Sequence, residues 1–183
     1  MDENASAPES EHIQILLRRF EAPLLQFAAR IIGDRERARD VVQETFVKYQ
    51  QNGASLRQPS PATWLFTVCR NKSLNVCRKE SRLLFLGEEI VEPRQAEEPT
   101  PYEQLEKKEA GGFLLRIVAT LPPRQQEVLQ LKFQNDLSYQ EIAEITKTSA
   151  NNVGVLIHSA LKTLRQRYAH ASKEFLPFQP RTT

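Results

Sequence analysis

The side chains best suited to direct chemistry stand at the start of a predicted helix in the last quarter of the chain. Asn151, Asn152, Gly154, Val155 and His158 occupy its first turns. An asparagine amide can bond an adenine edge through two hydrogen bonds, and a small apolar group can contact a thymine methyl. The chemistry predicted for this segment is therefore the reading of bases in the major groove of DNA.

A helix-turn-helix is the element that would present these side chains. Ser138 and Glu141 have the spacing of a capping box, which predicts the start of a short helix. A tight turn at 146–149 separates it from a longer helix, and such a pair places the second helix in the major groove. Lys147 takes a turn position where glycine is usual. An ordinary helical hairpin is the alternative.

A second candidate nucleic-acid surface is a basic run on a long predicted helix. Asn71, Asn75, Arg78 and Arg82 recur at the spacing i, i+4, i+7, i+11, which aligns them on one stripe. Such a stripe can follow phosphates, and a neighbouring aromatic ring can stack on unpaired bases. Trp64 is the candidate aromatic residue, with a place in the core as the equal alternative.

A third pattern lies on another predicted helix, whose apolar face includes Phe46. Asp40, Gln43, Glu44 and Lys48 would project together from its polar face. Without further context, such a face is typical of any solvated helix.

Residue types that serve catalysis, metal binding or disulfides do not cluster. We find no Gly-rich phosphate loop, no Ser/His/Asp set and no CxxC, and the three histidines lack partners at useful spacing. Cys69 and Cys77 are expected to be buried or half-buried thiols in a reducing compartment. The sequence therefore predicts no enzyme, no metal site and no cofactor.

Charge is segregated along the 183 residues, although the net charge is only +2. Counted on the sequence, 13–83 carries a net charge of +7, whereas 84–112 carries −5. Basic blocks separated by an acidic one predict surfaces that meet polyanions. The acidic N-terminus and the absence of a long apolar run predict a cytoplasmic protein without membrane insertion.

Helical periodicity dominates, so the predicted fold class is all-α, with two small helical domains joined by a flexible acidic linker and a helix-turn-helix in the C-terminal one. The predicted order is a disordered acidic N-terminus at 1–12, a helical domain at 13–86, the linker at 87–112, the helix-turn-helix domain at 113–171 and a flexible tail at 172–183.

Three segments together resemble a known family. They read DVVQETFVKYQ, PATWLFTVCRNKSLNVCRK and LPPRQQEVLQLKFQNDLSYQEIAEI, the last followed after the turn by NNVGVLIHSALKTLRQR. In order and spacing they are similar to the extracytoplasmic-function group of bacterial sigma-70 proteins, over 13–83 and 113–168. The resemblance implies a sigma factor that binds core RNA polymerase, directs it to promoters and nucleates their melting without covalent chemistry.

The resemblance also implies roles for three sets of residues. The set that docks on the clamp of the polymerase's largest subunit is Asp40, Gln43, Glu44, Phe46 and Lys48. The second set would bind the −10 element, by capturing a flipped base in the loop 52–61 and by contacts at the melting point. Its members are Asn52, Ser55, Arg57, Trp64, Arg70, Asn71, Lys72, Asn75, Arg78, Lys79 and Arg82. The third set belongs to the helix-turn-helix, which would read the −35 element and touch the polymerase flap. Its members are Ser138, Lys147, Ser149, Asn151, Asn152, Gly154, Val155, His158 and Lys162.

The chain departs from the family pattern in the recognition helix. Gly154, Val155 and Leu156 occupy slots where relatives usually carry Lys or Arg, and Asn75 replaces a common Asp. The −35 contacts are therefore expected to be weak or to be made by other residues. The promoter sequence cannot be transferred from relatives.

The sequence is also compatible with two other classes of protein. One is a stand-alone helix-turn-helix regulator, and the other is a polymerase-bound helical adaptor that does not read DNA. Members of the family commonly answer to an inhibitory anti-sigma protein, and no residue pattern identifies one for this chain.

Overall fold

A computed structural model describes residues 6–52, 60–85 and 108–175, and all of its regular elements are helices. In chain order they are α1 (Ser6–Ile32), α2 (Arg35–Asn52), α3 (Pro61–Phe85), α4 (Lys108–Ala119), α5 (Pro123–Phe133), α6 (Tyr139–Thr146) and α7 (Ala150–Phe175). Within these ranges there is no β-strand, so the all-α fold class is confirmed. None of these helices is long and apolar enough to cross a membrane.

The chain divides into two compact units. Helices α1–α3 form the first unit, and α4, α5, α7 and the larger part of α6 belong to the second. Three helices extend past the predicted domain bounds, because residues 6–12 belong to α1, 108–112 to α4 and 172–175 to α7. The rest of the predicted linker, 86–107, lies outside the described residues.

The core of the first unit is built around apolar stripes of all three helices. Phe27 of α1 meets Phe66 of α3 edge-on, with ring centroids 5.4 Å apart, and both side chains are almost fully buried. Pro23, whose neighbourhood predicted a helix start or a kink, lies inside the single helix α1. Leu16 and Leu24, on either side of it, both face the core, so burial of one continuous stripe outweighs the backbone hydrogen bond that a proline removes.

The turn between α1 and α2 fixes the rotation of α2. Gly33 has φ 78°, a left-handed conformation that glycine adopts without strain. Asp34 Oδ1 then accepts hydrogen bonds from the backbone N–H groups of Glu36 (2.9 Å) and Arg37 (3.1 Å), which caps α2. A glycine followed by an aspartate predicts the end of one helix and the cap of the next, and the structure has both.

The second unit packs α5, α6 and α7 around a small aliphatic core. Its most deeply buried side chains are Leu131, Ile142, Val153 and Ala160. Pro122 occupies the N-cap position of α5, and Pro123 is its first helical residue, where a proline costs no backbone hydrogen bond. This core leaves the first turns of α7 at the surface, where the candidate site lies.

Candidate nucleic-acid interface

The start of α6 is held by the predicted capping box. Ser138 Oγ accepts the backbone N–H of Glu141 (3.2 Å), and Glu141 Oε2 accepts both the N–H (2.8 Å) and the hydroxyl (2.7 Å) of Ser138. The hydroxyl of Ser138 is therefore engaged in capping. This residue was assigned to DNA contact by resemblance, and its structural role is to begin α6.

The turn from α6 to α7 is tight and uses two further residues of the predicted site. Lys147 has φ 54°, the left-handed conformation that its position in the sequence suggested. Ser149 Oγ accepts the backbone N–H of Asn152 (3.2 Å), and the Asn152 side-chain amide donates to Thr148 Oγ1 (2.7 Å). Ser149 and Asn152 thus hold the turn and set the direction of α7.

Four predicted residues are exposed together on α7. Asn151, Val155, His158 and Lys162 follow i, i+4, i+7 and i+11, so they share one face. The opposite face, with Val153 and Ile157, is buried in the core of the unit. We call the four exposed residues the recognition stripe. It combines an amide, an isopropyl group, an imidazole and an ammonium group along about 16 Å of helix.

Gly154 lies beside a tyrosine ring that the sequence did not place there. A Cβ atom built at Gly154 would lie 3.5 Å from Cε2 of Tyr139, which is an ordinary van der Waals distance. Tyr139 itself is 41% exposed. The ring of Tyr139 therefore borders Gly154 without requiring a glycine at this position. Tyr139 was missed, although its position directly after the capping serine could have indicated that it borders the site.

A polar ridge on α2 forms the second candidate surface, in the first unit. Asp40, Gln43, Glu44 and Lys48 are exposed as predicted. They line an open surface groove with Val47, Gln51 and Lys72. Phe46 is not part of the ridge, because its side chain is 7% exposed and belongs to the core. We use the name polar ridge for the four exposed residues.

The basic helix α3 differs from its prediction at two positions. Trp64 is 8% exposed, and its ring meets that of Tyr49 edge-on at 5.3 Å, so its side chain lies in the core, which was the alternative to stacking on bases. Lys72 forms an ion pair with Glu44 of the polar ridge. It therefore lies beside the ridge groove and is not part of an open phosphate-binding row.

The exposed part of α3 begins about one turn further on. Asn75, Arg78 and Lys79 are exposed, and Asn75 Oδ1 accepts a hydrogen bond from Arg78 Nη1 at 3.2 Å. Arg70 and Asn71 are half-buried. The predicted loop residues Ser55 and Arg57 lie outside the described residues, as do the side chains of Asn52 and Arg82.

Both cysteines carry reduced thiols in this fold. Cys69 is fully buried, and burial raises the pKa of its thiol to about 12, which keeps it protonated. Burial also raises the pKa of the half-buried Cys77. Neither thiol has the lowered pKa that makes a cysteine reactive, so both are structural residues.

Comparison with known proteins identifies the two units. Residues 16–83 match the model of Sigma-70 region 2, and residues 114–164 match that of Sigma-70, region 4. The RNA polymerase sigma factor YlaC of Bacillus subtilis (strain 168) is 29% identical over 169 residues, which cover 90% of this chain and 96% of the relative. The ECF RNA polymerase sigma factor SigM of the same organism is 26% identical over 144 residues, or 78% and 86% of the two chains.

A solved structure shares the fold. The sigma factor RpoE from Bartonella quintana, crystallised with the anti-sigma factor NepR, aligns with a TM-score of 0.69 and 24% identity over 85% of this chain and 95% of that chain. A helical chain in which region 2 precedes region 4 defines a transcription initiation factor. The chain belongs to the extracytoplasmic-function group of the sigma-70 family, and its function is that of an RNA polymerase sigma factor.

Proposed function

We propose that the first unit binds core RNA polymerase through the polar ridge and contacts −10 DNA through the exposed part of α3, while the second unit reads the −35 element through the recognition stripe. The observation that carries this proposal is that all three surfaces are exposed helix faces within the segments matched to regions 2 and 4. No covalent step is required, and the chain would act in the cytoplasm, where its polymerase partner works.

The chemistry of the polar ridge fits a basic helical partner. Asp40 and Glu44 offer carboxylates, Gln43 offers an amide, and Val47 adds an apolar side chain that is 53% exposed in the same groove. A partner with Arg or Lys residues around one apolar side chain would complement this surface. The clamp of the largest polymerase subunit is the proposed partner.

The chemistry of α3 beyond Asn75 fits a phosphate backbone. Arg78 and Lys79 are exposed cations, and the hydrogen bond from Arg78 to Asn75 orients the guanidinium group. Such contacts supply affinity that does not depend on sequence. We assign to this surface the DNA close to the point where the strands separate.

Regulation by an anti-sigma factor belongs to the same proposal. It rests on the family and on a structural neighbour, the sigma factor RpoE, that was solved with an anti-sigma factor.

The first experiment tests the polar ridge. Asp40→Arg with Glu44→Arg should abolish co-elution with core polymerase, because two carboxylates that face the partner become cations, while the circular dichroism spectrum stays native. Glu21→Arg with Glu144→Arg makes the same charge change at exposed positions off the ridge and should co-elute normally. Undiminished co-elution of the ridge variant would refute the assignment.

A further inference from the structure

One member of the recognition stripe is apolar, at the centre of an otherwise polar face. Val155 is 59% exposed, with Asn151 one turn before it and His158 one turn after it. The core of the second unit does not use this side chain. Its exposure at the surface that a helix-turn-helix turns toward DNA calls for an apolar partner in the major groove.

The major groove offers one distinctive apolar feature, the C5 methyl group of thymine. We infer that Val155 contacts a thymine methyl in the −35 element and thereby sets a preference for an A·T pair at that position. This inference rests on the proposed function of the second unit. It assigns a function to Val155, which stands at a position where relatives usually carry Lys or Arg.

The geometry of α7 restricts where that thymine lies. Asn151 and Val155 are four residues apart, which is about 6 Å along the helix axis. Successive base pairs are about 3.4 Å apart, so the two side chains reach bases within about two pairs of each other. If Asn151 bonds an adenine, the element contains two A·T pairs in close succession.

The surroundings of Val155 hold it ready for such a contact. A β-branched side chain in a helix has one strongly preferred rotamer, so little entropy is lost on binding. The ring of Tyr139 lies against the neighbouring Gly154 and is itself 41% exposed. Val155 and Asn151 thus place an apolar group one turn from a hydrogen-bonding amide, which suits a methyl group next to hydrogen-bonding base edges.

The test uses holoenzyme assembled from core polymerase and the full chain. Duplexes randomised in the −35 region are selected for binding, and each thymine of the preferred element is then replaced singly by deoxyuracil, which lacks only the methyl group. One replacement should lower the affinity about fourfold, the ratio expected for burial of one methyl-sized group. In Val155→Ala the thymine and deoxyuracil duplexes should bind equally. Val155→Ile should keep the difference.

A matched control separates this contact from a general effect of exposed apolar side chains. Leu115 of α4 is 56% exposed, so Leu115→Ala should leave the fourfold ratio unchanged. A preferred element without thymine on either strand overturns the inference, as does a methyl effect that persists in Val155→Ala. In either case the protein would still select −35 sequences, so the proposed function would stand. Binding that does not depend on any base of the −35 region would contradict both the inference and the proposed function.

Discussion

At the scale of single residues, Lys147 has an unfavourable backbone conformation that glycine would relieve. Its φ of 54° is left-handed, a conformation that costs an L-residue about 1–2 kcal/mol. Glycine avoids this cost, but it loses about 0.4–1 kcal/mol more conformational entropy on folding. Lys147→Gly should therefore raise the free energy of unfolding of the second unit by up to about 1 kcal/mol, measured by amide hydrogen exchange in α6 and α7. Lys147→Ala removes the same ammonium group without relieving the backbone, so equal stability of the two variants would contradict this explanation.

Adjacent residues of α2 should respond to truncation in opposite ways. Phe46 is 7% exposed and Val47 is 53% exposed. Phe46→Ala should cost about 3–5 kcal/mol of stability, whereas Val47→Ala should cost less than about 0.5 kcal/mol and should weaken binding to core polymerase. Unfolding of the first unit can be followed by the fluorescence of Trp64, the only tryptophan in the chain. Similar stability of both variants would show that Phe46 is not a core residue.

Phe46 and Trp64 show what could be predicted from the sequence for single side chains. Helical periodicity assigned Phe46 to the apolar face of α2, while family resemblance assigned it to the polymerase contact. The structure supports the periodicity, because burial of a large aromatic side chain determines how a helix is rotated. Trp64 is buried for the same reason. The packing of Tyr139 against Gly154 had no local signal, because it depends on where α6 and α7 meet.

At the scale of helices, capping signals predicted the helix starts that matter for the site. Asp34 and Ser138 cap α2 and α6 as expected from short polar side chains before an apolar pattern. The outer ends of α1 and α7 extend past the predicted bounds, because the polar residues there have no apolar periodicity to mark an end. The Gly111–Gly112 pair was expected to bend the chain, and the helix α4 includes it.

The capping box should contribute measurably to α6. Ser138→Ala removes the acceptor for the Glu141 N–H and should cost about 1 kcal/mol, observed as faster amide exchange in α6 and weaker −35 binding. Ser138→Thr keeps the hydroxyl and should behave like the parent chain. If Ser138→Ala exchanged at the parent rate, the capping box would not be what positions α6.

The exposed end of α3 should determine the salt dependence of promoter binding. Arg78→Ala with Lys79→Ala removes two phosphate contacts, so the slope of log affinity against log salt should become shallower by about 1.5 to 2. Arg18→Ala with Arg19→Ala deletes a similar pair of exposed cations from α1 and should leave the slope unchanged. An unchanged slope for the α3 variant would mean that these residues do not contact phosphates.

At the scale of the whole molecule, the segregation of charge agrees with the division into units. The basic stretch 13–83 coincides with the first helical unit, and region 2 and region 4 follow each other in the order that the sequence predicted. A sigma factor must bind polymerase and DNA at once, which requires distinct exposed faces on helices that also form a core. The polar ridge and the exposed end of α3 meet that requirement within the first unit.

The most direct test of this account is start-site selection by bare core polymerase. Purified chain and core enzyme would transcribe a library of genomic fragments, and the 5′ ends of the products would be sequenced. We expect a limited set of start sites that core enzyme alone does not use, and their loss when the chain carries Asp40→Arg with Glu44→Arg. Start sites identical to those of core enzyme alone, with no inhibitor present, would contradict the account.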